Sequence, residues 1–67
     1  MRSMLTLANG YIVRLESLTY ADGVRVTVED PNGYLEDLGA DDRDPVGVHL
    51  TDAGDLAALI ANVAAMG

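Results

Sequence analysis

The sequence predicts an α+β fold: a small antiparallel sheet of four to five strands, two hairpins first, followed by one C-terminal helix packed on the sheet. Three observations carry that expectation. Asn9-Gly10 sits between two apolar stretches, residues 4–8 and 11–15. Val24, Val26 and Val28 alternate with Arg25, Thr27 and Glu29, the period of a half-buried strand. Leu56, Leu59, Ile60, Val63 and Met66 then recur at helical spacing.

Each element follows in order. Asn-Gly tolerates positive φ at both central positions of a type I′ turn, so a two-residue loop is expected at Asn9-Gly10. That loop pairs Ala8 with Tyr11, Thr6 with Val13 and Met4 with Leu15, leaving Leu5, Leu7, Ile12 and Arg14 on the other face. A second hairpin runs from residues 15–20 to 24–29 through Ala21-Asp22-Gly23, where glycine fits the left-handed position after a type I turn. Asp30-Pro31-Asn32-Gly33 reads as a further turn, with proline second and glycine closing it. Residues 34–38 form a short edge strand at most, because Glu36 and Asp37 lie within them. Residues 39–45 are a loop ended by proline. Val46, Val48 and Leu50 alternate with Gly47 and His49 as a last strand. Thr51 or Asp52 caps the helix, and Asp52 and Asp55 sit where its dipole favours anions. The helix is expected to run to Met66.

A chain of 67 residues is a single domain, residues 1–67. A domain of this size buries only about 60% of the surface its unfolded chain exposes. Small folds compensate with disulfides, a metal or oligomerisation. There is no cysteine and only one histidine, which excludes disulfides, thiolate sites and a histidine-rich metal cluster. Oligomerisation or tight packing is left. No apolar run approaches the roughly 18 residues that cross a bilayer, and no signal peptide is visible. An interfacial helix would carry Lys or Arg on its polar face, and this one carries neither. Membrane binding is not expected.

The net charge of −7 is unevenly placed. Residues 1–28 hold three arginines against Glu16 and Asp22, a net of +1, whereas residues 29–67 hold nine acids against Arg43, a net of −8. Direct nucleic-acid binding needs clustered cations, so it is not expected either.

Catalytic signals are sparse. His49 lies opposite Val46, Val48 and Leu50 in the strand pattern, and a general base needs a positioned partner and a pocket. Neither serine, Ser3 nor Ser17, lies in a Gly-x-Ser-x-Gly setting. Lysine is absent and the glycines fall in turns, with no phosphate loop. Glu36, Asp37, Asp41, Asp42 and Asp44 form the densest acidic cluster, but the frame of a calcium loop is missing. No cofactor or metal is expected, and the chain reads as a non-enzyme. The tyrosines, Tyr11, Tyr20 and Tyr34, flank turns.

The helix carries the clearest interaction signal. Opposite its apolar stripe a monomer's surface helix shows Lys, Glu or Arg. Here that side holds Ala57, Ala58, Ala61, Asn62 and Ala65. Self-association is therefore expected through this face, together with Leu5, Leu7 and Ile12 on the outside of the first hairpin. The alternative is an acidic, antitoxin-like or phage-type inhibitor. In that reading the acidic cluster occupies a basic nucleic-acid-binding site on a second, unidentified protein, because carboxylates imitate phosphate charge. The run Val46-Gly47-Val48-His49-Leu50-Thr51 and the alanine-rich helix after it resemble the tails of short actinobacterial and actinophage proteins of unknown function. That resemblance, over about a third of the chain, implies a bacterial cytoplasmic setting and brings no catalytic residue with it.

Overall fold

The computed structural model describes residues 2–18, 22–38 and 46–66 of the chain. Strands β1 (Arg2–Thr6), β2 (Ile12–Ser17), β3 (Val24–Glu29) and β4 (Val48–Leu50) form one antiparallel sheet in the order β1-β2-β3-β4. Helix α1 (Ala53–Ala64) follows directly. The expected α+β arrangement is what the chain adopts.

Alternation decides which side of the sheet is buried. β2 pairs with β3 so that Val13 faces Val28 and Leu15 faces Val26, and β3 pairs with β4 so that Val26 faces Val48 and Val24 faces Leu50. These residues share one face, and Val13, Val26 and Val28 are fully buried there. Helix α1 closes it with Val63, which is buried, and with Leu56, Leu59 and Ile60, packed against the same cluster. The predicted stripe is thus the packed side of the helix, except that Met66 lies beyond its end and is exposed. Tyr11 and Leu38 pack around the same core.

The first hairpin differs from the sequence expectation by one residue. Thr6 pairs with Ile12, Leu5 with Val13 and Met4 with Arg14. The loop has three residues, Ala8-Asn9-Gly10: Gly10 N–H donates to Leu7 O at 3.0 Å and Leu7 N–H to Tyr11 O at 2.8 Å. Only Gly10, at φ 91°, has positive φ; Asn9 does not. This is a type I turn closed by a left-handed glycine rather than a type I′ turn. The physical reason lies in the Asn9 side chain. Its Oδ1 accepts from Tyr11 N–H at 3.1 Å, and its Nδ2 donates to Val63 O and Met66 O, each at 2.9 Å. Those carbonyls lie at the end of α1, where Val63 O also accepts from Met66 N–H at 3.0 Å. A one-residue slip turns every side chain of a strand to the opposite face.

The turn at residues 30–34 repeats the same plan. Gly33 N–H donates to Asp30 O at 3.0 Å, Asp30 N–H donates to Tyr34 O at 2.8 Å, and Gly33 has φ 90°. Asn9-Gly10-Tyr11 and Asn32-Gly33-Tyr34 therefore occupy matching positions, and the turns lie side by side at one end of the sheet. An ideal Cβ on Gly10 would meet the Pro31 ring at 3.2 Å.

Other boundaries shift modestly. Residues 34–38 contribute one isolated bridge, Leu35 to Glu29, and a bond from Glu36 N–H to Val28 O at 2.7 Å, not a full strand. The last strand begins at Val48, with Gly47 buried before it. Asp52 is the helix N-cap, its carboxylate accepting from Asp55 N–H at 3.3 Å. β2 ends at Ser17, short of the expected residue 20, and Tyr20 and the Ala21 part of the turn lie outside the described residues.

Candidate interaction surfaces

The helix presents the surface the sequence singles out. Ala57, Ala58, Ala61, Asn62 and Ala65 are all exposed, and so is Ala64. Among the described residues of α1, Asp55 in the first turn is the only charged side chain, and the last turn has no basic residue. One side of the helix is seated on the sheet; the other is uncharged and open.

The hairpin residues do not join that surface as one patch. Leu5 and Leu7 fall on the helix side of the sheet with Val13 and Leu15, and Leu7 packs against the core while Leu5 is 42% exposed. Ile12 lies on the opposite face and is half-buried. The expected apolar outer face made of Leu5, Leu7 and Ile12 is therefore split between the two sides. The one-residue register shift is the cause.

That shift assembles something the sequence pattern concealed. The face away from the helix carries three of the chain's four arginines, in rows set by strand pairing. Arg2, Glu16, Arg25 and His49 form one row across the four strands. Met4, Arg14 and Thr27 form the next, and Thr6, Ile12 and Glu29 a third. Directly opposed unlike charges on adjacent strands attract, which favours this register. Arg2 meets Glu16 at 4.0 Å, and Arg14 meets Glu29 diagonally at 3.1 Å. These pairs are partly or largely exposed and contribute little to stability. Over them lies an open depression of about 420 Å³ lined by Arg2, Met4, Arg14, Glu16, Arg25 and Thr27. His49 is exposed at the end of its row, on the face opposite Val48 and Leu50 as expected. Among the described residues no aromatic side chain belongs to these three rows.

Of the acidic cluster, Glu36 is half-buried beside β3 and Asp37 is exposed, whereas Asp41, Asp42 and Asp44 lie outside the described residues. Among the described residues no three His, Asp or Glu side chains converge as a metal site. Nor, among them, is any helix long and apolar enough to cross a membrane. Sequence reasoning missed Asn9 as a helix-capping residue and the arginine rows. The alternation of Arg2, Arg14 and Arg25 with inward apolar residues was the available signal for the rows, once the register is right.

Comparison with protein-family models, with curated proteins and with solved structures finds no match for this chain.

Proposed function

We propose that this chain is a small acidic, non-enzymatic protein-interaction module that self-associates through the uncharged face of α1. The observation that carries the reading is the exposure of Ala57, Ala58, Ala61, Asn62 and Ala65 on a helix whose other side is packed. Alanine lets two helix backbones approach closely, and a contiguous uncharged face is the mark of an interaction site rather than a free surface. Charge points the same way. Two copies of a chain with net charge −7 repel, so they associate most readily where neither presents an acid. The setting that fits is a bacterial cytoplasm, with an unidentified protein as a further partner and no direct contact to nucleic acid or membrane.

Light scattering tests this at tens of micromolar. The wild type is expected to exceed the 7.1 kDa of one chain. Ala61→Lys is expected to halve the assembly mass while the fold persists, because a cation in the last turns of a helix suits its dipole. A wild type at monomer mass would end the proposal.

A second reading is favoured by the segregation of charge, with nine of eleven acids between Glu29 and Asp55. There the acidic segment holds a basic groove on another protein, drawn by long-range attraction that weakens as the Debye length falls to about 8 Å near physiological salt. Changing Asp41, Asp42 and Asp44 together to Asn is expected to slow association with a captured partner and flatten its salt dependence. An unchanged rate would leave those charges to solubility.

A further inference from the structure

We propose that the free edge of β1 pairs antiparallel with β1 of a second copy, joining two four-stranded sheets into one of eight. This interface is separate from the helix face and does not depend on it.

The backbone pattern identifies which groups are available. Leu7 N–H donates to Tyr11 O and Leu7 O accepts from Gly10 N–H, so Leu7 turns both groups toward the other strand, as a residue of a hydrogen-bonded pair does. Such pairs alternate with non-bonded ones along an antiparallel ladder. Leu5 and Ser3 therefore direct their N–H and C=O groups toward β2, and Arg2, Met4 and Thr6 direct theirs away from it. Among the described residues, nothing pairs with the donors and acceptors of these three along that edge.

Natural sheets protect such edges with proline, bulges, charge or very short strands. Of these β1 uses only a single charge, at its start. Its register with β2 is unbroken from Arg2 to Thr6, its only charge is Arg2 at one end, and all five residues are exposed. The opposite edge is treated differently. β4 has three residues, and the rest of β3 on that side is covered by Leu35 and by Glu36 N–H on Val28 O.

Two side chains point to strand addition over docking on one face. Met4 is 63% exposed on the arginine side of the sheet and Leu5 is 42% exposed on the helix side. A partner lying on either face covers only one of them. A strand added at the edge flanks both.

Charge permits a second copy as the occupant, and two-fold symmetry lets the same five residues serve as both strands. A two-fold axis through Met4 sets Met4 opposite its counterpart, Arg2 opposite Thr6, and Ser3 opposite Leu5. The two Arg2 residues are then four positions apart along the ladder, about 13 Å, which exceeds the Debye length at physiological salt. Glu36, bonded to the far side of β3, is three strand spacings from β1, about 14 Å. Acids carried by that far side thus stay apart in the pair. β1 belongs to the part of the chain with net charge +1, so the edge presents no acid to its copy.

Sedimentation equilibrium of the full chain from 5 to 500 µM, run with four variants, tests this. Met4→Pro deletes an N–H that points away from β2 and leaves the hairpin ladder intact. Met4→Lys keeps the backbone and sets two cations together on the axis, and it serves if the proline variant does not fold. With both interfaces present the wild type is expected to exceed a dimer. Met4→Pro, Met4→Lys and Ala61→Lys are each expected to fall to a dimer, and Met4→Pro combined with Ala61→Lys to a monomer. Equal masses for wild type, Met4→Pro and Met4→Lys across the range would overturn the edge pairing and leave the helix reading standing. Conversely, an unchanged mass in Ala61→Lys with a monomeric Met4→Pro would overturn the helix reading and support the edge.

Discussion

Gly23→Ala is expected to lower the melting temperature by at least about 10 °C, more than any other single methyl added to a turn glycine. Gly23 closes the connection between β2 and β3, with φ 110°, a region that L side chains rarely enter. Its Cβ would also overlap the Leu50 carbonyl oxygen and lie 3.0 Å from Thr51 Cγ2. The obstacle is backbone at the end of β4, one residue before the loop into α1, so it does not yield by a rotamer change. Strain at such a φ alone costs about 1–3 kcal/mol. Moving β4 adds to it, in a fold whose core supplies only about 3–5 kcal/mol of net stability. In a domain this small each kcal/mol shifts the melting temperature by about 4–8 °C. Gly33→Ala is the internal control: φ is 90° there too, but an added Cβ meets nothing within 4 Å. Thermal unfolding followed by circular dichroism should rank Gly23→Ala well below Gly33→Ala. Equal melting would mean that β4 is not seated against the turn.

Gly23 also marks the line between what is legible in the sequence and what is not. That a glycine must stand in the left-handed position after Asp22 follows from local turn chemistry. That the strand at residues 48–50 lies against it is a contact across 27 positions, and no local pattern carries it. The same division runs through the rest of the fold. Val24, Val26 and Val28 alternate cleanly enough to place β3, and Leu56, Leu59, Ile60 and Val63 enough to place α1 and its packed face. The first hairpin was legible as a hairpin but not in register. Asn-Gly fits two turn types, and the choice between them is made by the carbonyls of Val63 and Met66. Because the register moved, so did the surfaces. Leu5 and Leu7 lie on the helix side, with only Leu7 packed on the core, and Arg2, Arg14 and Arg25 come together on the open side of the sheet. The alanine face of α1 needed no long-range information, since it is defined by helical period alone.

The Asn9 cap yields the second large effect, and a test that separates its two halves. Asn9→Ala removes the acceptor for Tyr11 N–H and the donor to the helix end. Net contributions of about 0.5–1.5 kcal/mol per hydrogen bond put the loss near 2 kcal/mol, or a fall of roughly 10 °C. Asn9→Asp keeps nearly the same shape and still accepts from Tyr11. It cannot donate, however, and it sets a carboxylate against carbonyl oxygens at the negative end of the helix dipole. Asn9→Asp is therefore expected to melt below Asn9→Ala at neutral pH, although it retains more of the native bonds. Added salt should narrow the gap, because that repulsion is between partly exposed groups and is screened. Asn32→Asp supplies the control in the matching turn. The Asn32 side chain is exposed and, among the described residues, makes no hydrogen bond; its backbone N–H alone is held, by Asp30 Oδ1 at 3.0 Å. Its substitution should stay within about 0.5 kcal/mol of wild type, as surface changes do. If Asn9→Asp instead melts with Asn32→Asp, the side chain is not holding the end of α1. The turn at residues 8–10 would then be free to take the two-residue form that its sequence prefers.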